Sequence, residues 1–411
     1  MSTENLLSAM LAAAEGNRTG AAAQIATLTE HAGSVRLGWL VPPEPEQLIR
    51  ASEAILGEYP EVPQRLCVVG TGGWAFATTA IAEATGSDRV VALDLPSTSD
   101  LDALRPPFSC LSVSASGTTF ETRLITDALL GRSVPVRRLR ERDLSARGLA
   151  EHTAMFGAPL STAFAIPALV ADRASTLSAY RELRAGYLDL ARDAVSTAGG
   201  VTGAVTVAVP PWAGEGTRLW LRQLARQALG GKAGCTLTSV EIAAQGPVTV
   251  DYRDVRATLP ALVAMLYHFG VFIASLGLLQ GLPICSETNV YRYKALLDSV
   301  PLDWPEGTVH VPSALLGKAI TDWAGGAALD IVAYRPLPTT TFAGSAAPGR
   351  VWAGPRWNHH SFQSTFPDHS RKVAVIAEAA TDALSEGRRR LALATWRSLS
   401  PRSALFTLTD N

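Results

Sequence analysis

Lysine is nearly absent from this chain of 411 residues; it stands only at Lys232, Lys294, Lys318 and Lys372. Cysteine is as sparse, at Cys67, Cys110, Cys235 and Cys285, with no Cys-x-x-Cys or Cys-x-x-His pair. That excludes a disulfide scaffold and leaves no expectation of a structural zinc site. Net charge is missing too, since 36 basic and 37 acidic side chains nearly cancel, so composition offers no case for a nucleic-acid partner. Hydrophobic types at 47% with charged types at 18% describe a globular chain and not a disordered one. The amino terminus, Met1-Ser2-Thr3-Glu4-Asn5, carries an acid where a secretion signal carries positive charge, so a cytoplasmic, reduced protein is expected.

Charge is also absent from Leu259 to Ile284, a run long enough to cross a bilayer. His268, Gln280, several glycines and Pro283 interrupt it, and no basic cluster flanks it. The expectation is a helix buried at the centre of an α/β domain, with no membrane partner.

What is present is an alternation of strands and helices. The length predicts two or three domains, read as a helical extension over residues 1–60 followed by domains over 61–197 and 198–411. Leu6, Leu7, Met10 and Leu11, then Leu48, Ile49 and Ile55, recur at helical spacing. Short apolar runs at 65–70, 89–93 and 109–113 read as buried parallel strands, each followed by turn residues and a helix. A long helix over about 174–196 links to a second set: strands at 204–209, 330–334, 349–352 and 372–376, and helices at 215–229 and near 312–323. The fold class is α/β, with two doubly wound parallel-sheet domains in three αβα layers.

Two turns carry the chemistry. Ser114-Ala115-Ser116-Gly117-Thr118-Thr119-Phe120-Glu121-Thr122 lies at a strand-to-helix turn. Hydroxyls of Ser114, Ser116, Thr118 and Thr119 can converge there with free backbone N–H groups and the helix dipole on a phosphate dianion. The plainer alternative is a Thr118–Glu121 capping box, but a cap needs one hydroxyl and this turn has four. Gly70-Thr71-Gly72-Gly73 follows the preceding strand and can bring a ligand close to the backbone, or merely let the helix pack. It does not complete a dinucleotide fingerprint, because position 75 is alanine.

Together the two turns resemble the sugar-isomerase (SIS) fold of phosphoglucose isomerases, with patterns Gly-x-Gly-Gly-Ser and Ser-Lys-Ser-Gly-Thr-Thr-x-Glu-Thr. The likeness extends over nearly the whole chain and is strongest to the isomerase half of bifunctional transaldolase–phosphoglucose isomerases. Gly157–Leu169, Gly230-Gly231-Lys232-Ala233-Gly234, Asn289-Val290 with Lys294, and Gly354-Pro355-Arg356-Trp357-Asn358-His359 resemble further segments of that family in order. The resemblance implies two SIS-type domains and aldose–ketose isomerisation of a phosphorylated sugar, in glycolysis or gluconeogenesis. It needs no cofactor, and the expected partners are the sugar phosphate and, as one option, a second copy of the chain in a homodimer. Gly72, Gly73, Trp74, Arg356 and His359 would then line the substrate pocket.

The sequence departs from the family where proton transfer happens. Pro159 stands at an arginine position, Ala115 at the loop lysine and Trp74 at a serine. The catalytic set that the resemblance implies is Glu241 near the base position, with His268 and Lys294 for ring opening or proton transfer. Glu241 is close to the family position but out of register. His268 falls one residue early, a rotation of about 100° on a helix, and is equally read as a buried histidine bonded to a neighbour. Lys294 matches its motif, against the alternative of a solvated lysine. His359, His360, Asp368 and His369 do not have the spacing of a compact metal site. Glucose 6-phosphate is expected to be a poor substrate. The alternatives are a repurposed enzyme of specialised metabolism on an unusual substrate, or a sugar-phosphate-binding protein without catalysis.

Overall fold

A computed structural model describes residues 3–31, 33–104, 107–114, 116–140, 156–233, 235, 240–243, 248–286, 289, 291–335, 337, 351–360 and 362–409. Ala115, Gly234 and Val290, singled out above, and positions 349–350 of the strand expected at 349–352 lie outside the described residues. The chain forms two compact units: Met1–Leu93 with Leu104–Ser286, and Asp94–Ala103 with Glu287–Asn411.

In the first unit, α1 (Thr3–Ala14), α2 (Gly20–Thr29) and α3 (Pro45–Leu56) precede the main sheet. A two-stranded hairpin, β1 (Glu30–His31) and β2 (Ser34–Val35), joins α2 to α3. The sheet contains β3 (Leu66–Val69), β4 (Val90–Leu93), β5 (Ser109–Val113) and β6 (Val136–Leu139), all parallel, in the order β4-β3-β5-β6. Every side chain of β3 is buried, as its unbroken apolar sequence requires of an inner strand covered on both faces. Helices α4 (Gly73–Thr85) and α6 (Phe120–Gly131) follow β3 and β5, while α5 (Thr98–Ala103) belongs to the second unit. The chain leaves β3 toward one edge and β5 toward the other. The carboxyl ends of these neighbours therefore form the topological switch point, where open α/β sheets bind ligands.

Next come α7 (Thr162–Ala171) and α8 (Arg173–Gly199), the predicted long helix, begun by Asp172 accepting from the Ser175 N–H at 3.1 Å. A second parallel sheet, β8-β7-β9, is made of β7 (Val205–Ala208), β8 (Val240–Ala243) and β9 (Val250–Asp251), with α9 (Glu215–Leu229) after β7. The uncharged run becomes α10 (Leu259–Leu279), packed against α8, α9 and α4. Among the described residues it is the one helix long and apolar enough to cross a membrane, and 89% of its most apolar window is buried inside the unit. It stops short of Ile284 because Gly281, at φ 70°, turns the chain and Pro283 cannot continue a helix.

The second unit holds a five-stranded parallel sheet, β10-β14-β13-β11-β12. Its strands are β10 (Val309–Val311), β11 (Leu329–Ala333), β12 (Val351–Ala353), β13 (Lys372–Ala377) and β14 (Ser403–Leu408). Its helices are α11 (Tyr291–Lys294), α12 (Leu316–Ala324), α13 (Gly354–His360), α14 (Phe362–Thr365) and α15 (Ala383–Leu399). Leu316 and Ile320 of α12 pack on Ile331, Ala374, Ile376 and Phe406 to form its core. The helix expected near 312–323 starts late, because Ser313–Leu315 forms a 3-10 turn first.

Candidate functional site

The two turns predicted from the sequence stand side by side at the switch point of the first sheet. Gly70 leaves β3 with its N–H on the Leu93 carbonyl (3.1 Å), and Ser114 leaves β5 with its N–H on the Leu139 carbonyl (3.1 Å). A Cβ on Gly70 would lie 3.1 Å from Trp74 Cβ and 3.3 Å from the Val113 carbonyl oxygen. A side chain there would have to push these neighbours by a few tenths of an ångström, so the glycine turn rests closely on the end of β5.

Gly72 precedes α4 with φ 65° and ψ −126°, a backbone that side chains rarely tolerate. The amide of Gln223, from α9, fills the space a side chain would need; a Cβ there would meet its Nε2 at 2.4 Å and Oε1 at 2.8 Å. Gln223 is buried, and its Oε1 has no hydrogen-bond partner among the described residues. The sequence reading missed it, because its only signal was a polar residue on the buried face of an amphipathic helix. Trp74 is buried in the first turn of α4, beside Gly73.

In the serine–threonine turn the plain capping box does not form. The helix begins at Phe120, and its cap residue is Thr119, which makes no side-chain cap to a helix N–H. The Thr119 hydroxyl instead pairs with Ser114 Oγ at 2.9 Å. Ser116 Oγ accepts from the Thr118 N–H (3.1 Å) and the Thr118 hydroxyl (2.9 Å), while the Gly117 N–H donates to Ser114 Oγ (3.1 Å). Hydroxyls thus pre-arrange the turn and leave the first N–H groups of α6 without a side-chain cap, with Ser116 and Thr118 exposed. Such an end attracts anions.

A second missed residue supplies charge. Arg140, directly after β6, lies across Gly117, whose φ is 70°; a Cβ on Gly117 would stand 2.8 Å from Arg140 Cδ and 2.9 Å from its Nε. A guanidinium therefore sits beside a turn that has no lysine of its own. The signal was an arginine closing a strand adjacent to the turn, legible only once β6 is known to neighbour β5.

The remaining predicted residues lie on other elements. His268 lies in α10 with both ring nitrogens engaged: Nδ1 with the Tyr252 hydroxyl (2.7 Å) and Nε2 with Asp193 Oδ2 (2.9 Å). Burial pushes its pKa down, and the Asp193 carboxylate opposes that only in part. The neutral ring satisfies both contacts if Nε2–H donates to Asp193 and Nδ1 accepts from Tyr252. Glu241 is exposed on β8, the outer strand of the three-stranded sheet, in register with Thr206. Lys294, Arg356 and His359 belong to the second unit. The Lys294 ammonium is 5.6 Å from the Tyr291 ring centroid. Arg356 holds Asp94 through Nε (2.7 Å) and Nη2 (3.2 Å), and His359 is buried on α13. Pro159 sits in the buried 3-10 turn Ala158–Leu160, its carbonyl accepting from the Tyr180 hydroxyl at 3.0 Å. Among the described residues, no group of three or more His, Cys, Asp or Glu side chains is gathered as metal ligands.

No family model matches the sequence, and no curated protein matches it. Among solved structures, the chain is similar to a glucose-6-phosphate isomerase from Chlamydia trachomatis, with a TM-score of 0.49 and 10% identity over 66% of this chain and 78% of that one. It is also similar to a hypothetical protein from Thermus thermophilus, with a TM-score of 0.48 and 14% identity over 72% of this chain and 95% of that one. Likeness at this level can come from shared layers of parallel sheet and helix, and no chemistry follows from it.

Proposed function

We propose that the protein binds the phosphate end of a phosphorylated sugar at Ser114–Thr119 and belongs to the aldose–ketose isomerase type of enzyme. One observation carries the reading: a hydroxyl-built turn at an uncapped helix N-terminus, with Arg140 across it, at the switch point of a parallel sheet. The backbone amides and guanidinium neutralise the phosphate. The Gly70–Gly73 turn offers backbone donors to the sugar hydroxyls beside it.

Isomerisation further requires a base that carries a proton between adjacent carbons and a cation near the developing oxyanion. In the first unit Glu241 and His268 remain the proposed pair, with Trp74 shaping the pocket; for Lys294, Arg356 and His359, in the second unit, the proposal rests on the sequence resemblance alone. Glucose 6-phosphate should be a poor substrate, since proline has neither charge nor donor to offer at the arginine position. Losing one such stabiliser costs about 10²–10³ in rate, or roughly 3–4 kcal/mol. A second reading, binding without turnover, is favoured by His268, whose two nitrogens are already taken inside the fold.

A melting-temperature screen of phosphorylated sugars, followed by deuterium exchange from solvent into each sugar that binds, tests both. Exchange at carbon 1 or 2 supports the enzyme. Binding without exchange for any sugar supports the second reading. A coupled assay with ordinary turnover of glucose 6-phosphate would show that another side chain does the work of the missing arginine.

A further inference from the structure

The second unit has a crevice of its own. In the order β10-β14-β13-β11-β12 the chain leaves β11 toward β12 and leaves β13 toward β14, so these neighbours form a second switch point. Beside it, along the carboxyl ends of β11 and β12, opens a cleft of about 370 Å³. Its walls come from Tyr334 and Arg335 just past β11, Trp352 on β12, Arg388 on α15, and Leu95 and Ser97 of the segment before α5.

The walls are fixed by contacts that leave the cleft open. The Tyr334 ring packs so tightly on Gly354 that a Cβ there would come within 2.4 Å of it, and its hydroxyl bonds Asn358 Oδ1 and Thr395 Oγ1, each at 2.7 Å. Arg388 is 12% exposed and uses Nε on Glu378 and Nη1 on the Pro96 carbonyl. Its Nη2 group has no partner among the described residues. A guanidinium carries five N–H donors in one plane, so donors remain for a ligand.

We propose that this cleft binds a small planar carboxylate, its flat apolar body against Trp352 and its carboxylate on the guanidinium of Arg388. The half-buried Trp352 ring favours a flat body, and the planar fork of arginine matches a carboxylate in two-point contact. At about 30 Å³ per water the space equals roughly twelve waters, the scale of a bicyclic ring acid. The site stands independently of the phosphate turn in the first unit.

Titration calorimetry of the full chain with indole-3-carboxylate, and with the matching carboxamide as control, tests this. The acid should bind at least about tenfold more tightly than the amide. Trp352→Ala and Arg388→Lys should each weaken the acid by a similar factor, with inorganic phosphate binding unchanged. Trp352 is only half-buried, so that variant should fold even if Arg388→Lys does not. Equal binding of acid and amide, no binding of either, or an unchanged constant for Trp352→Ala would overturn the proposal.

Discussion

Replacing Gly72 with alanine tests the close approach of α9 to the first turn. At φ 65° and ψ −126° an alanine backbone is strained by about 1–3 kcal/mol. The new Cβ would also lie 2.4 Å from Gln223 Nε2 and 3.0 Å from its Cδ, too near for any real contact. Displacing a buried side chain by overpacking costs about 1–3 kcal/mol more, so the loss should total about 2–6 kcal/mol. The Gly72→Ala/Gln223→Ala double variant removes the steric part and leaves the strain, so it should recover about 1–3 kcal/mol relative to additivity. Urea unfolding of the four proteins measures this coupling. A loss below about 0.5 kcal/mol for Gly72→Ala, or strict additivity in the double variant, would refute the reasoning.

The Glu83 carboxylate accepts from Gly216 N–H (2.8 Å), Thr217 N–H (3.0 Å) and the Thr217 hydroxyl (2.6 Å), thereby capping α9 from α4. Glu83→Ala should cost about 2–4 kcal/mol in urea unfolding and loosen Gln223 with it. The folded pKa of His268 lies below its ordinary 6.5, so the unfolded chain takes up the proton first. This contribution is present above about pH 6.5 and is lost as pH falls through that value toward the folded pKa. His268→Asn should flatten that part of the stability–pH curve, and an unchanged slope would contradict the assignment. Expressed without a tag, the chain should fractionate away from membranes, because α10 is buried within its own unit.

Much of the fold was legible because buried parallel strands announce themselves. Leu66–Val69, Ser109–Val113 and Lys372–Ala377 are short apolar runs closed by turn residues, and α9 matches its amphipathic period end to end. Val309–Val311 and Ser403–Leu408 escaped notice, since His310, Ser403 and Thr407 break the apolar pattern that marks an inner strand. The serine–threonine turn at the end of β5 was legible from four hydroxyls in six residues. Arg140 and Gln223 were not, because each reaches its turn from an element distant in sequence, and only sheet order and helix packing bring them there. His268, read from the sequence either as a ring-opening group or as a buried histidine bonded to a neighbour, is held by Tyr252 and Asp193.

The central claim, a phosphate at Ser114–Thr119, is tested most directly by titration calorimetry of wild type and Thr118→Val with glucose 6-phosphate, glucose and inorganic phosphate. Thr118 is exposed and outside the helix, so the variant should fold as wild type does. The phosphorylated ligands should bind and glucose should not, and Thr118→Val should weaken the phosphorylated ligands by about tenfold, the equivalent of one charge-assisted hydrogen bond. Equal affinity for glucose and glucose 6-phosphate, or unchanged phosphate affinity in Thr118→Val, would contradict it.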